Sequence, residues 1–130
     1  MPYAFAVTVL HTKLLNGRRH VCFQIEESSV GPTDEWSIEL SDPFWTLTLF
    51  EAQLVTAGSA STLDPELGLS SGFVIDTLDE VADTVTPSAN VRVQDDVRFV
   101  GTHLYGRSKP DNTATLIRSR ITLIAGHGAA

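Results

Sequence analysis

The chain has 130 residues, of which 42% are hydrophobic, and its nine basic and sixteen acidic residues give a net charge of −7. This length and composition predict one folded domain, residues 1–130, with a single core, and exclude a disordered chain. Nucleic acid is disfavoured as a partner, because phosphate contacts need Lys and Arg. Cys22 is the only cysteine, so an intrachain disulfide is excluded and assembly in a cytosol is favoured.

The first residues are apolar, but the basic residues Arg18 and Arg19 follow this run instead of preceding it. A secretory signal has the opposite order, and the run is too short and too polar to span a bilayer. We therefore predict no membrane partner.

Two β-rich runs flank the dipeptide Asn16-Gly17 near the start of the chain. Both residues tolerate the positive φ of a type I′ turn, so the pattern predicts a β-hairpin. A two-residue turn sets Leu10 opposite Phe23, with Leu10 and Leu14 on the core face. The two valines of the first run depart from this alternation, which predicts a bulge or cover on both faces.

The stretch from Phe44 to Gly58 is the longest apolar-rich run of the chain, and β-branched and aromatic residues dominate it. It predicts one long strand or two short ones. Both alternating series of side chains begin apolar, and one becomes polar at Glu51. This pattern is typical of a strand that is covered on both faces and then emerges at an edge.

The stretch from Gly58 to Gly72 is rich in Gly, Ser and Thr, and its length predicts a functional or partner-ordered loop. Residues 76–85 are predicted as a short helix or a loop, since their apolar residues share one helical face. Further short runs end in a strand at Ala114–Ala125. Seven to nine strands with at most one short helix predict an all-β fold: a single-domain β-sandwich, with the jelly roll as one form, and a small barrel second.

Two patterns are candidate sites of chemistry. The run Gly68–Gly72 matches G-x-S-x-G, but it lies in a polar loop, whereas the hydrolase motif needs a strand–turn–helix elbow. In the hairpin His11 is expected opposite Cys22 with His20 nearby, yet such spacing is weak evidence for zinc. We therefore predict no catalytic residue, no cofactor and no metal ligand, and a small hydrolase is the third hypothesis.

Three aromatic residues, Trp36, Trp45 and Tyr105, are the candidates for a sugar-stacking platform of the kind that β-sandwich carbohydrate-binding modules use. Alternation favours the core for both tryptophans. A carbohydrate-binding module is the alternative function.

Charge is distributed unevenly. Residues 64–96 contain eight acids and one base, whereas residues 97–130 contain five bases and one acid. The pattern fits either an internally compensated surface or a subunit whose acidic side meets the basic side of a neighbour. The predicted partner-binding residues are Leu63, Asp64, Glu66, Leu67, Arg118 and Arg120.

The opening FAVTVLHTKLLNGRRHVCFQIEESS combines a V-T-V strand, an Asn-Gly turn, basic residues and a second strand that leads into a turn. Together with the closing RSRITLIAGHG, it resembles small all-β accessory virion proteins of tailed bacteriophages. The resemblance covers the N-terminal hairpin and the C-terminal strand only. It implies a structural decoration protein that is not an enzyme, binds the major capsid protein or another virion protein, and forms homo-oligomers. Its expected location is the virion, after synthesis and assembly in the host cytoplasm.

Overall fold

The computed structural model describes residues 2–40, 44–68, 77–80, 90–93 and 97–125. In chain order the strands are β1 (Ala4–Leu15), β2 (Arg18–Val30), β3 (Trp36–Glu39), β4 (Phe44–Thr56), β5 (Glu66–Gly68), β6 (Thr77–Glu80), β7 (Asn90–Val93), β8 (Val97–Val100), β9 (His103–Arg107) and β10 (Ala114–Ala125). These ranges contain no helix, and thus none long and apolar enough to cross a membrane.

The strands form two antiparallel sheets. Sheet A has the order β1-β2-β10-β4-β7, and β8 also pairs with β4; sheet B has the order β3-β9-β5-β6. The two sheets enclose a common core, which confirms the all-β sandwich.

The connectivity is that of a jelly roll. Pairing is nested: β2 pairs with β10, β3 with β9, β4 with β7 and β8, and β5 with β6. The chain from β2 onward is therefore one long folded hairpin, whose strands are shared between the two sheets. The first strand stands outside this pattern, because β1 is added at the edge of sheet A by pairing with β2 alone.

The hairpin of β1 and β2 turns at Asn16 (φ 51°) and Gly17 (φ 76°), which confirms the predicted type I′ geometry. The predicted bulge is present, since the register shifts between Val9 and His11. Beyond it Val9, not Leu10, lies opposite Phe23, so this predicted pair is wrong by one residue. The bulge places the valines of β1 on the same side of the sheet as the core.

The strand β4 lies in the interior of sheet A, between β10 on one side and β7 and β8 on the other. The predicted long strand is confirmed, but the predicted emergence at an edge is wrong. Its register with β10 shifts between Leu47 and Leu49, so Thr48 is an extra residue. The buried series therefore changes at this bulge, from Trp45 and Leu47 to Phe50, Ala52 and Leu54. This change of face explains why both alternating series begin apolar.

The short helix considered for residues 76–85 is not formed at Thr77–Glu80, which is strand β6 and pairs with β5. The rest of that segment lies outside the described residues. A helix this short is marginal in isolation, so pairing with an existing strand outweighs the local preference.

Two apolar clusters fill the sandwich. The larger lies between the sheets and contains Val21, Ile25, Trp36, Ile38, Leu40, Trp45, Leu47, Phe50, Leu67, Leu104, Ile121 and Leu123. The smaller contains Val30, Ala52, Leu54, Ala60, Leu63, Ala114 and Ile117. Both tryptophans are 1% exposed, which confirms their assignment to the core.

Replacing Gly106 by alanine is expected to destabilise the fold. Gly106 lies opposite Trp36 in sheet B, and a Cβ there would lie 2.0 Å from Cζ2 of the buried indole. We expect a loss of roughly 1–3 kcal/mol in the free energy of unfolding, the usual cost of overpacking. Urea unfolding followed by tryptophan fluorescence measures it. The matched control is Gly31→Ala, where the new Cβ meets only the Asp34 carboxylate at 3.3 Å; equal losses in both variants would contradict the explanation.

Candidate functional site

The most unusual surface of the molecule is strand β1. All twelve of its residues are exposed. The large hydrophobic side chains among them are 38–74% exposed: Phe5, Val7, Val9, Leu10, Leu14 and Leu15. On its far side β1 has no partner strand in the described part of the chain. An edge of this length and apolarity is typical of a surface that another polypeptide covers.

The position of β1 in sheet A explains why it is bare. In the described part of the chain β1 pairs with β2 alone and extends sheet A sideways by one strand. Ile25 of β2 is 0% exposed, whereas Val7, directly opposite it on β1, is 38% exposed, so the cover of the core ends at β2. The core positions predicted for Leu10 and Leu14 are wrong, because these side chains are 42% and 74% exposed. The alternation of apolar and polar residues correctly predicted that the hairpin has an apolar face. Along β1, however, no other part of the described chain packs against that face.

A buried carboxylic acid holds the start of β1 in place. Glu27 is fully buried and accepts hydrogen bonds from Tyr3 Oη (2.7 Å) and Ser108 Oγ (2.5 Å). Burial raises the pKa of Glu27 to about 7, although both hydrogen bonds act in the opposite direction. Burial and the Glu27 carboxylate together raise the pKa of Tyr3. Sequence reasoning missed this cluster, although Glu27 continues the inward series of Val21, Phe23 and Ile25.

The loop that begins at Gly58 is ordered by the chain's own contacts. Asp111 Oδ1 accepts hydrogen bonds from the backbone amides of Ser61 (2.7 Å) and Thr62 (3.0 Å), which lower the pKa of Asp111. The Asp64 amide donates to the carbonyl of Ser108 at 3.1 Å. Residues 58–65 are therefore held by contacts within the chain, the predicted role of the loop in function stays a prediction, and residues 69–72 lie outside the described ones.

The predicted partner-binding residues of this loop differ in burial. Leu63 and Leu67 are 0% exposed and belong to the two core clusters, and Glu66 is 8% exposed. These three side chains are wrong as surface contacts, because β5 and the loop before it turn them inward. The side chain of Asp64 is about half exposed, and its role in binding stays a prediction.

Ion pairs compensate the charge around these residues. Lys109 Nζ lies 3.5 Å from Glu66 Oε1 and 3.6 Å from Asp64 Oδ2. Arg107 Nε lies 3.3 Å from Glu35 Oε2, and its Nη1 lies 4.0 Å from Glu66 Oε1. The compensated surface is thus the better interpretation here. The side chains in these pairs are 10–49% exposed, and Glu66 is the most buried of them.

Arg118 and Arg120 lie on the outer face of sheet A, away from the core. Arg118 Nη2 lies 3.5 Å from Glu26 Oε2, and its buried Nε has no hydrogen-bond partner. Arg120 Nε donates to Gln24 Oε1 at 3.1 Å, and its Nη1 lies 4.0 Å from Glu51 Oε1. Both arginine side chains stay one-third to one-half exposed, so their predicted role in binding is sterically open.

The histidines and the cysteine considered as metal ligands do not converge in the described part of the chain. His11 lies opposite Cys22, as predicted, and His20 lies opposite Lys13. Across the ranges that the structure describes, no three His, Cys, Asp or Glu side chains converge as metal ligands would. Of the G-x-S-x-G run, only Gly68 is described, as the last residue of β5.

The aromatic residues do not form a common exposed platform. Trp36 and Trp45 are buried in the core. Tyr105 is half-buried, and its ring stacks on that of His103 with 6.2 Å between centroids. Of the three candidate stacking residues, only Tyr105 is therefore partly accessible, together with His103 on the outer face of sheet B.

Comparison with known proteins gives similarity at the level of the fold. The K3 cleaved adhesin domain of Lys-gingipain from Porphyromonas gingivalis is 14% identical, with a TM-score of 0.45, over 82% of this chain and 74% of that one. The K1 domain of the same protein is 11% identical, with a TM-score of 0.45, over 98% and 94%. The CBM36-1 domain of a xylanase from the hindgut metagenome of Trinervitermes trinervoides is 13% identical, with a TM-score of 0.40, over 97% and 100%.

No protein-family model matches the chain, and no curated protein is significantly similar to it. Identities and TM-scores this low do not identify a family. Function is therefore argued from the residues of this chain.

Stability is expected to depend on pH through Glu27. The pKa of Glu27 is about 7 in the folded chain against 4.5 for an unperturbed glutamate. Between these values the folded state binds more protons than the unfolded state, so the free energy of unfolding falls as pH rises. One pKa unit corresponds to about 1.4 kcal/mol, which makes the expected loss on the order of a few kcal/mol between pH 5 and pH 8.

Urea unfolding across this pH range measures the effect. The variant Glu27→Gln is expected to flatten this dependence, because an amide does not titrate. The control Glu26→Gln changes the neighbouring, exposed residue on the outer face and should leave the dependence intact. A wild-type protein that is equally stable at pH 5 and pH 8 would refute the assignment.

Proposed function

We propose that this chain is a structural protein that acts by assembly, as a decoration protein of a tailed-phage capsid bound to the major capsid protein and to neighbouring copies. The observation that carries the proposal is β1, a twelve-residue apolar edge that the described chain leaves uncovered. Natural proteins blunt or cover such edges, because an open edge pairs with other chains. A bare edge in a folded domain therefore favours a protein that works in contact with other protein subunits.

Two further observations support this proposal. The jelly roll is a fold that viral capsid proteins use, although lectins and cupins use it as well and a fold alone does not define a function. The residues that resemble phage accessory proteins, 5–29 and 118–128, include β1 and part of β10 of sheet A. The exposed strand β1 and the sequence resemblance to phage proteins thus involve the same part of the molecule.

A carbohydrate-binding module is the second candidate. The observation that favours it is the stacked pair of Tyr105 and His103, which lies outside the core. Against it, Trp36 and Trp45 are buried, so two of the three predicted stacking residues are not accessible. Binding to a glycan array that is lost in Tyr105→Ala, and kept in Tyr3→Phe, would favour this candidate over the capsid protein.

The proposal predicts that the protein co-purifies with phage particles. Particles from the cells that encode it, banded on a density gradient and probed with an antibody, are expected to contain the chain in stoichiometric amounts. If Arg118 and Arg120 contact the coat, raising the salt concentration should weaken attachment, since salt screens exposed charges. Absence of the chain from the particles would refute the proposal.

A charge-reversal variant tests the contribution of the two arginines. Arg118→Glu combined with Arg120→Glu is expected to lower attachment of recombinant protein to stripped particles at least tenfold at low salt. The matched control, Glu51→Gln, removes a partner of Arg120 within the chain and keeps the charge of both arginines. Equal loss in both variants would mean that the arginines act only within the fold.

A further inference from the structure

Strand β1 has few of the features that protect an edge strand. It contains no proline and no glycine, Lys13 is its only charged residue apart from His11, and its one irregularity is the bulge at Leu10. Edge protection normally comes from short strands, prolines, bulges and inward-pointing charges. Twelve exposed residues with a single bulge leave most of this edge able to pair with another strand.

A lipid surface does not fit this edge. The exposed hydrophobic side chains occur from Phe5 to Leu15, a length of about 33 Å at roughly 3.3 Å per residue, so they are not confined to the tip of the hairpin. Unpaired backbone groups of a sheet edge are not tolerated in hydrocarbon, because nothing there satisfies them. The complementary partner is therefore a β-strand.

The two ends of β1 differ in charge. Residues 1–25 contain no acid, and Lys13 lies close to Arg18 and Arg19, which follow the turn. At the other end Ala6 lies opposite Glu26, whose side chain is 43% exposed although Arg118 approaches it at 3.5 Å. The small side chains there leave a recess of about 350 Å³, whose lining includes Ala4, Ala6, Glu26 and Leu116.

We propose that two copies of this chain pair through β1, antiparallel about a two-fold axis, so that both sheets A form one continuous sheet. This inference rests on the proposed function, because it names one of the neighbouring copies that the decoration protein would bind. A two-fold contact joins the same strand in both copies and brings the basic end of each β1 to the start of the other. A parallel arrangement would place Lys13 against Lys13.

One register of the two paired β1 strands gives favourable side-chain pairs on both faces of the sheet. This register places Lys13 of one copy opposite Ala6 of the other copy. Ala6 in turn lies opposite Glu26 on the neighbouring strand β2, so Lys13 and Glu26 lie on the outer face with one alanine between them. The same register sets Phe5 opposite Leu14, both on the core side. The two bulges meet at the centre, so the faces match on both sides of them.

The contact extends over the whole strand. The proposed register pairs all twelve residues of β1, each of them exposed, with the twelve of the other copy. Cross-strand pairs of apolar side chains and of opposite charges each stabilise a sheet by about 0.2–1 kcal/mol.

Sedimentation velocity of the purified full chain tests the proposal, and the expected species is a dimer of the 14.1 kDa chain. Val7→Glu places a charge on the core side of β1 and is expected to weaken dimerisation at least a hundredfold. The control Thr56→Glu introduces the same charge at an exposed position of β4 and should leave the dimer intact. Circular dichroism verifies that each variant is folded.

A charge swap tests the register and does not depend on the apolar substitution. Lys13→Glu and Glu26→Lys are each expected to weaken the dimer about tenfold, and the double variant should restore it, because each lysine then faces a glutamate again. Hydrogen exchange should show β1 amides that are protected at high protein concentration and exchange fast at low concentration.

Three outcomes would overturn the inference: a chain that stays monomeric at all concentrations, a dimer that Val7→Glu does not affect, or β1 amides that become protected only when coat protein is added. Each of these leaves the particle test of the proposed function intact. A dimer that is absent from phage particles would instead overturn the proposed function alone.

Discussion

The structure depends on the position of its last strand. β10 lies between β2 and β4 and is hydrogen-bonded to both along most of its length, so it is the link between the N-terminal hairpin and the rest of sheet A. Its residues Ile117, Ile121 and Leu123 are fully buried and belong to the two core clusters. The nested jelly-roll pairing follows from this arrangement, since β3 to β9 must fold within the pair formed by β2 and β10. β1 is added at the edge of sheet A outside these nested pairs, and for that reason it is left bare.

Two of the single-residue bulges, at Leu10 and Thr48, determine which side chains of β1 and β4 face the core. At Leu10 the bulge brings Val7 and Val9 to the core side of β1, and at Thr48 it exchanges the buried series of β4. An extra residue shifts a strand with a period of two by one position, so all side chains beyond it change face. Both bulges lie in long strands of sheet A. A one-residue bulge thus determines both which side chains of β1 are exposed on the core side and which side chains of β4 are buried.

The two buried glutamates, Glu27 and Glu66, differ in their partners. Glu66 lies 3.5 Å from Lys109, whereas Glu27 has no basic partner among its hydrogen bonds and keeps its proton up to about pH 7. Glu27 binds Tyr3, directly before β1, and its neighbour Glu26 faces outward beside Ala6. One dipeptide therefore secures the start of β1 on the core side and supplies the acidic group of the proposed contact on the other side.

The amino-acid sequence by itself determined the all-β class, the Asn16-Gly17 hairpin with His11 opposite Cys22, the bulge, the long strand from Phe44 and the burial of both tryptophans. These features are local, because they follow from turn conformation and from the alternation of side chains along one strand. Only the tertiary structure decided that Leu63 and Leu67 are core residues, that Thr77–Glu80 is a strand, and that Leu10 and Leu14 are exposed. Alternation shows which residues share a face, but not what covers that face. Cover depends on how strands far apart in the chain are arranged in the two sheets, and β1 lies at the edge of sheet A beyond the nested pairs, so its apolar face stays open.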